Sequence, residues 1–350
     1  MDETNLAEII ERVGIRWQDP DYQPRRRAME ATLEADNRFT AEAIIFAINQ
    51  QARQLRADAL LAWTGSDSVQ QPVPVVVINP GNVPFAELQD FLAVTLTGHT
   101  YTGKMSARSP YLLQAFVDDL IEHGARVNVE LSTTLQPLMS DNALIASGSD
   151  PTISTLSRMA EEAGIPPRRI LVRGHRFSAA VLGGNEVAGV LERLAEDILL
   201  HEGLGCRNVA VVWAPRDAAP DALLDAMARF RAVFPAHPDT AGGLKMQIAY
   251  YRAADLAHAY ADDSSFLISR GGPEAQRPGH VRWTEYDSLA NVRRWLTETR
   301  ERIQVVAVSP RVELGLDTVE VPAVALGDTQ RPPLGWKQGQ TDVVSFLRSL

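Results

Sequence analysis

From residue 73 onward the chain alternates short, β-branched apolar runs with amphipathic stretches of helical length, and few folds accept that order. Residues 73–78 have the pattern of a strand buried on both faces. Asn79-Pro80-Gly81 breaks the run, and Pro84 is suited to the first turn of a helix reaching about Leu96. Further strands are predicted near 100–105, 126–131, 143–146, 170–172 and 179–182, with helices over 110–122 and from Pro151 onward. Strands separated by helices of roughly 12–16 residues need crossover connections, so an α/β fold with a parallel, doubly wound sheet is expected. Ligands bind such sheets at the carboxyl ends of the strands, where these loops carry Gly and Ser.

Residues 1–71 read as mostly helical, with Thr40 as N-cap of a helix that places Ile44, Ile45, Ala47, Ile48 and Leu55 at helical spacing. The basic run Arg25-Arg26-Arg27, flanked by proline, reads as a solvated loop. Gly183-Gly184 is the expected boundary between a first domain over 1–183 and a second over 184–350. In the second, a helix is predicted over 186–200, a strand over 209–213, and a βαβ unit from 281–284, 289–300 and 303–308. A tail rich in Gly, Pro and Gln follows over 327–340, and a short helix over 343–350 closes the chain.

The formal net charge of −10 repels phosphate backbones, which argues against nucleic acid as a partner. The N-terminal residues lack the basic-then-apolar order of a targeting segment, and no apolar run approaches the ~20 residues that span a bilayer. A single cysteine can form neither an internal disulfide nor, alone, a thiolate zinc site. The seven histidines are scattered without HExxH spacing. A cytoplasmic protein with no integral membrane segment and no metal site is expected.

Cys206 is the residue with the most chemical promise. A lone cysteine is by default a small buried hydrophobe. Cys206, however, follows Gly203-Leu204-Gly205 between a helix and a strand, where a thiol can be presented to a cleft and backbone N–H groups can face an oxyanion. The local sequence leaves both readings open. The Asn79–Pro84 loop is either a plain strand-to-helix turn or the support of an oxyanion donor, Asn82. Lys104, with Ser106 close by, is either a surface lysine or a ligand of an adenine ribose. Ser147-Gly148-Ser149 precedes a helix N-terminus, a place that binds phosphate. His201 reads as a helix-end histidine in contact with solvent. Neither GxGxxG nor GxxxxGK[ST] occurs.

In their order, Asn82-Val83-Pro84, Lys104-Met105-Ser106, Ser147-Gly148-Ser149 and Gly205-Cys206 resemble the aldehyde dehydrogenase superfamily. The closer similarity is to the LuxC-like long-chain acyl-CoA reductases. It rests on Gly81-Asn82-Val83-Pro84, Leu96 to Ser106, Arg176 to Leu182, Glu202 to Val209, and Gly327 to Pro332 with Thr341-Asp342. The resemblance implies an aldehyde dehydrogenase-like fold with a nucleotide-binding domain, an α/β catalytic domain and a cleft between them. It implies Cys206 and Asn82 as catalytic residues. Lys104, Ser106, Ser147, Gly148, Ser149 and, more weakly, Glu274 are implied to bind a nicotinamide cofactor, NADPH with NADH as the alternative. The implied substrate is an acyl-CoA, reduced to aldehyde through an acyl-cysteine thioester, and the implied assembly a homo-oligomer. Val172 falls where oxidising members carry a general-base glutamate. A CoA-independent aldehyde dehydrogenase and a thiol-dependent acyltransferase are the competing readings.

Overall fold

The computed structural model describes residues 3–315 and 320–350. It divides into two units, Met1–His175 with Pro333–Leu350, and Arg176–Pro332.

The first unit opens with α1 (Glu3–Trp17), α2 (Gln23–Glu34), α3 (Ala41–Ala52) and α4 (Ala57–Thr64). Thr40 caps α3 by accepting from the Ala43 amide. The basic run is helical rather than a loop: Pro24 sits in the first turn of α2, where its missing N–H is harmless. Arg25 is only 2% exposed, because its Nη1 donates to the Trp17 and Gln18 carbonyls and satisfies the end of α1.

The α/β part follows as β1 (Pro74–Ile78), α5 (Leu88–Leu96), β2 (Thr100–Lys104), α6 (Tyr111–Glu122), β3 (Val129–Ser132), β4 (Ala143–Ser147), α7 (Asp150–Glu162) and β5 (Ile170–Arg173). The five strands are parallel, in the order β3-β2-β1-β4-β5. Val75 and Val77 join the core that contains α1, α5 and α6, whereas Val76 and Ile78 join the core of α7. Both faces of β1 are therefore apolar, each buried side chain contributing about 1.5–3 kcal/mol. The helix after β1 covers one face and the helix after β4 the other, so the chain reverses direction between these two neighbours.

Pro84 does not open α5. Residues 84–87 form turns and the helix begins at Leu88, because Phe85 takes a left-handed φ of 60°, which no right-handed helix contains. Its ring packs 5.7 Å from Trp17 and 5.7 Å from Phe116, which holds that conformation in place.

The second unit comprises β6 (Phe177–Val181), α8 (Ala188–Leu199), β7 (Val209–Pro215), α9 (Asp221–Val233), α10 (Pro238–Ala253), β8 (His258–Tyr260), β9 (Leu267–Arg270), β10 (His280–Tyr286), α11 (Leu289–Thr299), β11 (Ile303–Val308) and β12 (Ala323–Ala325). They build a seven-stranded sheet in the order β12-β11-β6-β7-β10-β9-β8, parallel except for β8. Helices α8 and α9 cover one face and α11 the other.

The boundary expected at Gly183 falls instead at His175, because β6 pairs with β7 and β11 and so belongs to the second sheet. The end of the chain, expected in the second domain, joins the first. Val343, Val344 and Leu347 enter its core, and the Leu347 carbonyl meets His99 Nε2 at 3.0 Å. Among the described residues no helix is long and apolar enough to cross a membrane.

Candidate active site

Cys206 stands, half-buried, in the turn between α8 and β7. After Leu200 the chain takes three left-handed residues in succession, His201 (φ 53°), Glu202 (φ 59°) and Gly203 (φ 71°). Such a conformation costs a non-glycine residue on the order of 1–3 kcal/mol, so the surroundings must hold it. Glu202 accepts from Arg231 Nη1 at 2.9 Å and from the His237 amide at 3.2 Å; the carboxylate and the guanidinium are each 5% exposed. A Cβ on Gly203 would lie 2.9 Å from the Gly279 nitrogen, so only glycine fits there. The buried Asn208 amide finishes the turn. Its Oδ1 accepts from the Gly205 amide, and its Nδ2 faces the carbonyls of Asp197, Ile198 and Leu200 at the end of α8. Ser178 on β6 donates to the Cys206 carbonyl at 3.0 Å.

Two cations feel the charge of Cys206. Burial pushes the Arg207 guanidinium down to about 10 and lowers Arg176 as well; Cys206 opposes the shift of Arg207, and Glu301, then Cys206, oppose that of Arg176. With a value of about 10, Arg207 stays protonated at neutral pH, a cation next in sequence to the sulfur. Arg207 Nε donates to the Thr329 carbonyl. That segment is tied down by Asp197, which accepts from the Gly327 and Thr329 amides at 2.7 and 3.0 Å. Burial raises Asp197 to about 7. His201 is buried rather than solvated, since the left-handed turn folds it inward, and burial lowers it to about 4, which keeps the ring neutral.

Glu274 is exposed in the β9–β10 loop, whose Pro278–Gly279 end meets Gly203. The structure thus brings the end of that loop, Pro278–Gly279, against the turn that carries Cys206. The motif Gly327–Pro332 joins them through Asp197 and Arg207. Asn208, Arg231 and Asp197 were not singled out from sequence; a polar residue two positions after the cysteine was the one local signal.

In the first unit the remaining residues gather at the carboxyl ends of β1, β2 and β4. The Asn79 amide donates to the Lys104 carbonyl at 3.0 Å, and a Cβ on Gly81 would meet Ser106 Oγ at 2.0 Å. Asn82 lies exposed in that loop. Across the β1–β4 reversal, the Ser147 hydroxyl is buried without a hydrogen-bond partner among the described residues. The Gly148 amide is committed to the Arg173 carbonyl at 3.1 Å, and Ser149 caps α7 by accepting from Thr152. Val172 packs with the α7 core. Its neighbour Arg173 makes a buried two-point ion pair with Asp90, at 2.7 and 3.1 Å, and reaches Gln338 at 3.1 Å. Among the described residues no three His, Cys, Asp or Glu side chains stand together as a metal site.

No family model and no curated protein matches the chain. Solved structures do. An indole-3-acetaldehyde dehydrogenase in complex with NAD+ superposes with a TM-score of 0.73 at 14% identity, over 98% of this chain and 80% of that one. The NAD+ complex of an aldehyde dehydrogenase from Bacillus cereus gives 0.72 at 14%, again over 98% and 80%. The aldehyde dehydrogenase KauB from Pseudomonas aeruginosa gives 0.72 at 15%, with the same coverage. The chain has the aldehyde dehydrogenase fold. At these identities the likeness defines the fold and leaves the reaction to the residues.

Proposed function

We propose that this protein is an NADPH-dependent, LuxC-like acyl-CoA reductase working through a thioester on Cys206. The observation that carries the reading is the setting of Cys206: a braced turn beside two guanidinium groups, with its nearest carboxylate in sequence, Glu202, locked to Arg231. In this reading the Cys206 thiolate attacks the thioester carbon of acyl-CoA. A new C–S bond forms, the old one breaks, and CoA leaves as a thiolate that needs little acid help. Asn82 is assigned as a donor to the developing oxyanion. When bound, the reduced nicotinamide would supply a hydride to the thioester carbon, and the aldehyde forms as the C–S bond breaks and Cys206 leaves as the thiolate.

The unpartnered Ser147 hydroxyl at the β1–β4 reversal, with Lys104 and Ser106 at the neighbouring strand end, suits the ribose and phosphates of such a cofactor. Glu274 is assigned to the nicotinamide side. Gly148 and Ser149 shape that corner, their amide and hydroxyl being committed to the fold. A homo-oligomer belongs to the same proposal.

Because Val172 is apolar and Glu202 is engaged, water has no assigned activator, and the acyl-enzyme should wait for hydride. Mixing the protein with long-chain acyl-CoA alone should release one equivalent of CoA. Intact-protein mass spectrometry should then show one acyl group on Cys206, discharged as aldehyde on adding NADPH. Cys206→Ala should show neither. Steady release of fatty acid without an adduct would overturn the reading. The alternative is an NAD+-dependent aldehyde dehydrogenase, favoured by the NAD+ complexes among the structural neighbours. It predicts acid formation from aldehyde and NAD+ with no need of CoA.

A further inference from the structure

The second unit has a cavity of about 300 Å³ at the end of β7 opposite to Cys206. Cys206 precedes the first residue of β7, whereas Trp213 and the carboxyl end of neighbouring β10 line the cavity. The strands are parallel here, and the helices that follow them, α9 after β7 and α11 after β10, cover opposite faces of the sheet. A crevice forms where connections diverge in this way, which is the usual place for a ligand on a parallel sheet. The volume lies at the lower end of the range for small-molecule sites.

Its walls have a specific chemistry. Trp213 and Trp295 meet at 5.5 Å and 60°, and Tyr286 stands beside them. Trp213 is 5% exposed, and its indole N–H has no acceptor among the described residues. Three carboxylates, Glu285, Asp287 and Glu298, line the cavity against one guanidinium, Arg294. Glu285 is already paired with Arg270 at 2.9 Å and Asp287 with Arg216 at 2.7 Å. With the Asn291 amide turned so that its oxygen faces Arg294, that oxygen accepts from Arg294 Nη2 at 3.2 Å. Glu298 has no such partner among the described residues.

We propose that this cavity binds a small organic cation, an alkylammonium head held against the indole and phenol rings and facing the Glu298 carboxylate. Aromatic faces attract such cations electrostatically, and a nearby carboxylate adds to the attraction. The site is separate from Cys206, so its occupancy does not depend on the proposed reaction.

Titration calorimetry of the full chain with tetramethylammonium chloride, against sodium chloride at equal ionic strength, tests this. Saturable binding is expected with the first salt only. Glu298→Gln and Trp295→Leu, at side chains that are not fully buried, should each weaken it on the order of 5- to 10-fold, with unchanged far-UV circular dichroism. Arg294→Gln removes the competing cation and should tighten it. Cys206→Ala should leave it unchanged. No saturable heat, equal binding of sodium, survival of binding in both weakening variants, or a loss with Arg294→Gln would each overturn the proposal.

Discussion

Asn208 accepts the Gly205 amide at 2.8 Å and donates to the Leu200 carbonyl at 2.7 Å, so one buried side chain holds both the end of α8 and the turn that carries Cys206. Replacing it by alanine strands these groups without water, at a cost of about 1–3 kcal/mol. Asn208→Asp should be worse, since a carboxylate would face three carbonyl oxygens. Thermal unfolding of both variants checks this. Equal melting temperatures for wild type and Asn208→Asp would contradict it.

Glu202 and Arg231 form the other brace. Removing one partner leaves a buried charge alone, so Arg231→Met should destabilise by about 3–5 kcal/mol. Glu202→Leu combined with Arg231→Met removes both charges and should recover much of that loss. A double-mutant cycle by urea unfolding measures the coupling; strictly additive effects would mean the pair does not brace the turn.

Glu87, wholly buried with no other residue pairing its carboxyl oxygens among the described residues, is pushed up by burial to about 8 from an ordinary 4.5. Between those values the folded state holds a proton that the unfolded state has lost. Its stability contribution is therefore present at low pH and disappears as pH rises toward 8, by up to about 1.4 kcal/mol per unit. Glu87→Gln should match wild type near pH 4 and exceed it at pH 8. Parallel stability curves across that range would rule out this account.

Lys104 ends β2 beside the β1–β4 reversal. On the proposed cofactor placement, Lys104→Ala should raise the KM for NADPH by on the order of 10-fold, about the value of one charge-assisted hydrogen bond, with little effect on that for acyl-CoA. Steady-state kinetics in each substrate distinguishes the two, and an unchanged cofactor KM would displace Lys104 from the site.

The strands of the first sheet were legible because β-branched runs such as 73–78 have few alternatives once both faces must be buried, and the Gly-x-Gly-Cys turn was legible because glycine marks backbone that other residues cannot adopt. What the sequence hid depends on contacts distant along the chain. Arg25 is helical and buried because the Trp17 and Gln18 carbonyls, where α1 ends, await a donor. Phe85 delays α5 because Trp17 and Phe116 fix its ring. The last residues, 333–350, return to the first unit because Val343, Val344 and Leu347 find their apolar partners there. His201 turns inward through a left-handed backbone that Glu202 secures only once Arg231, on another helix, is in place. Local pattern specifies which residues form strands, helices and turns; pairing of buried polar and apolar groups far apart in sequence decides how the Cys206 turn is held.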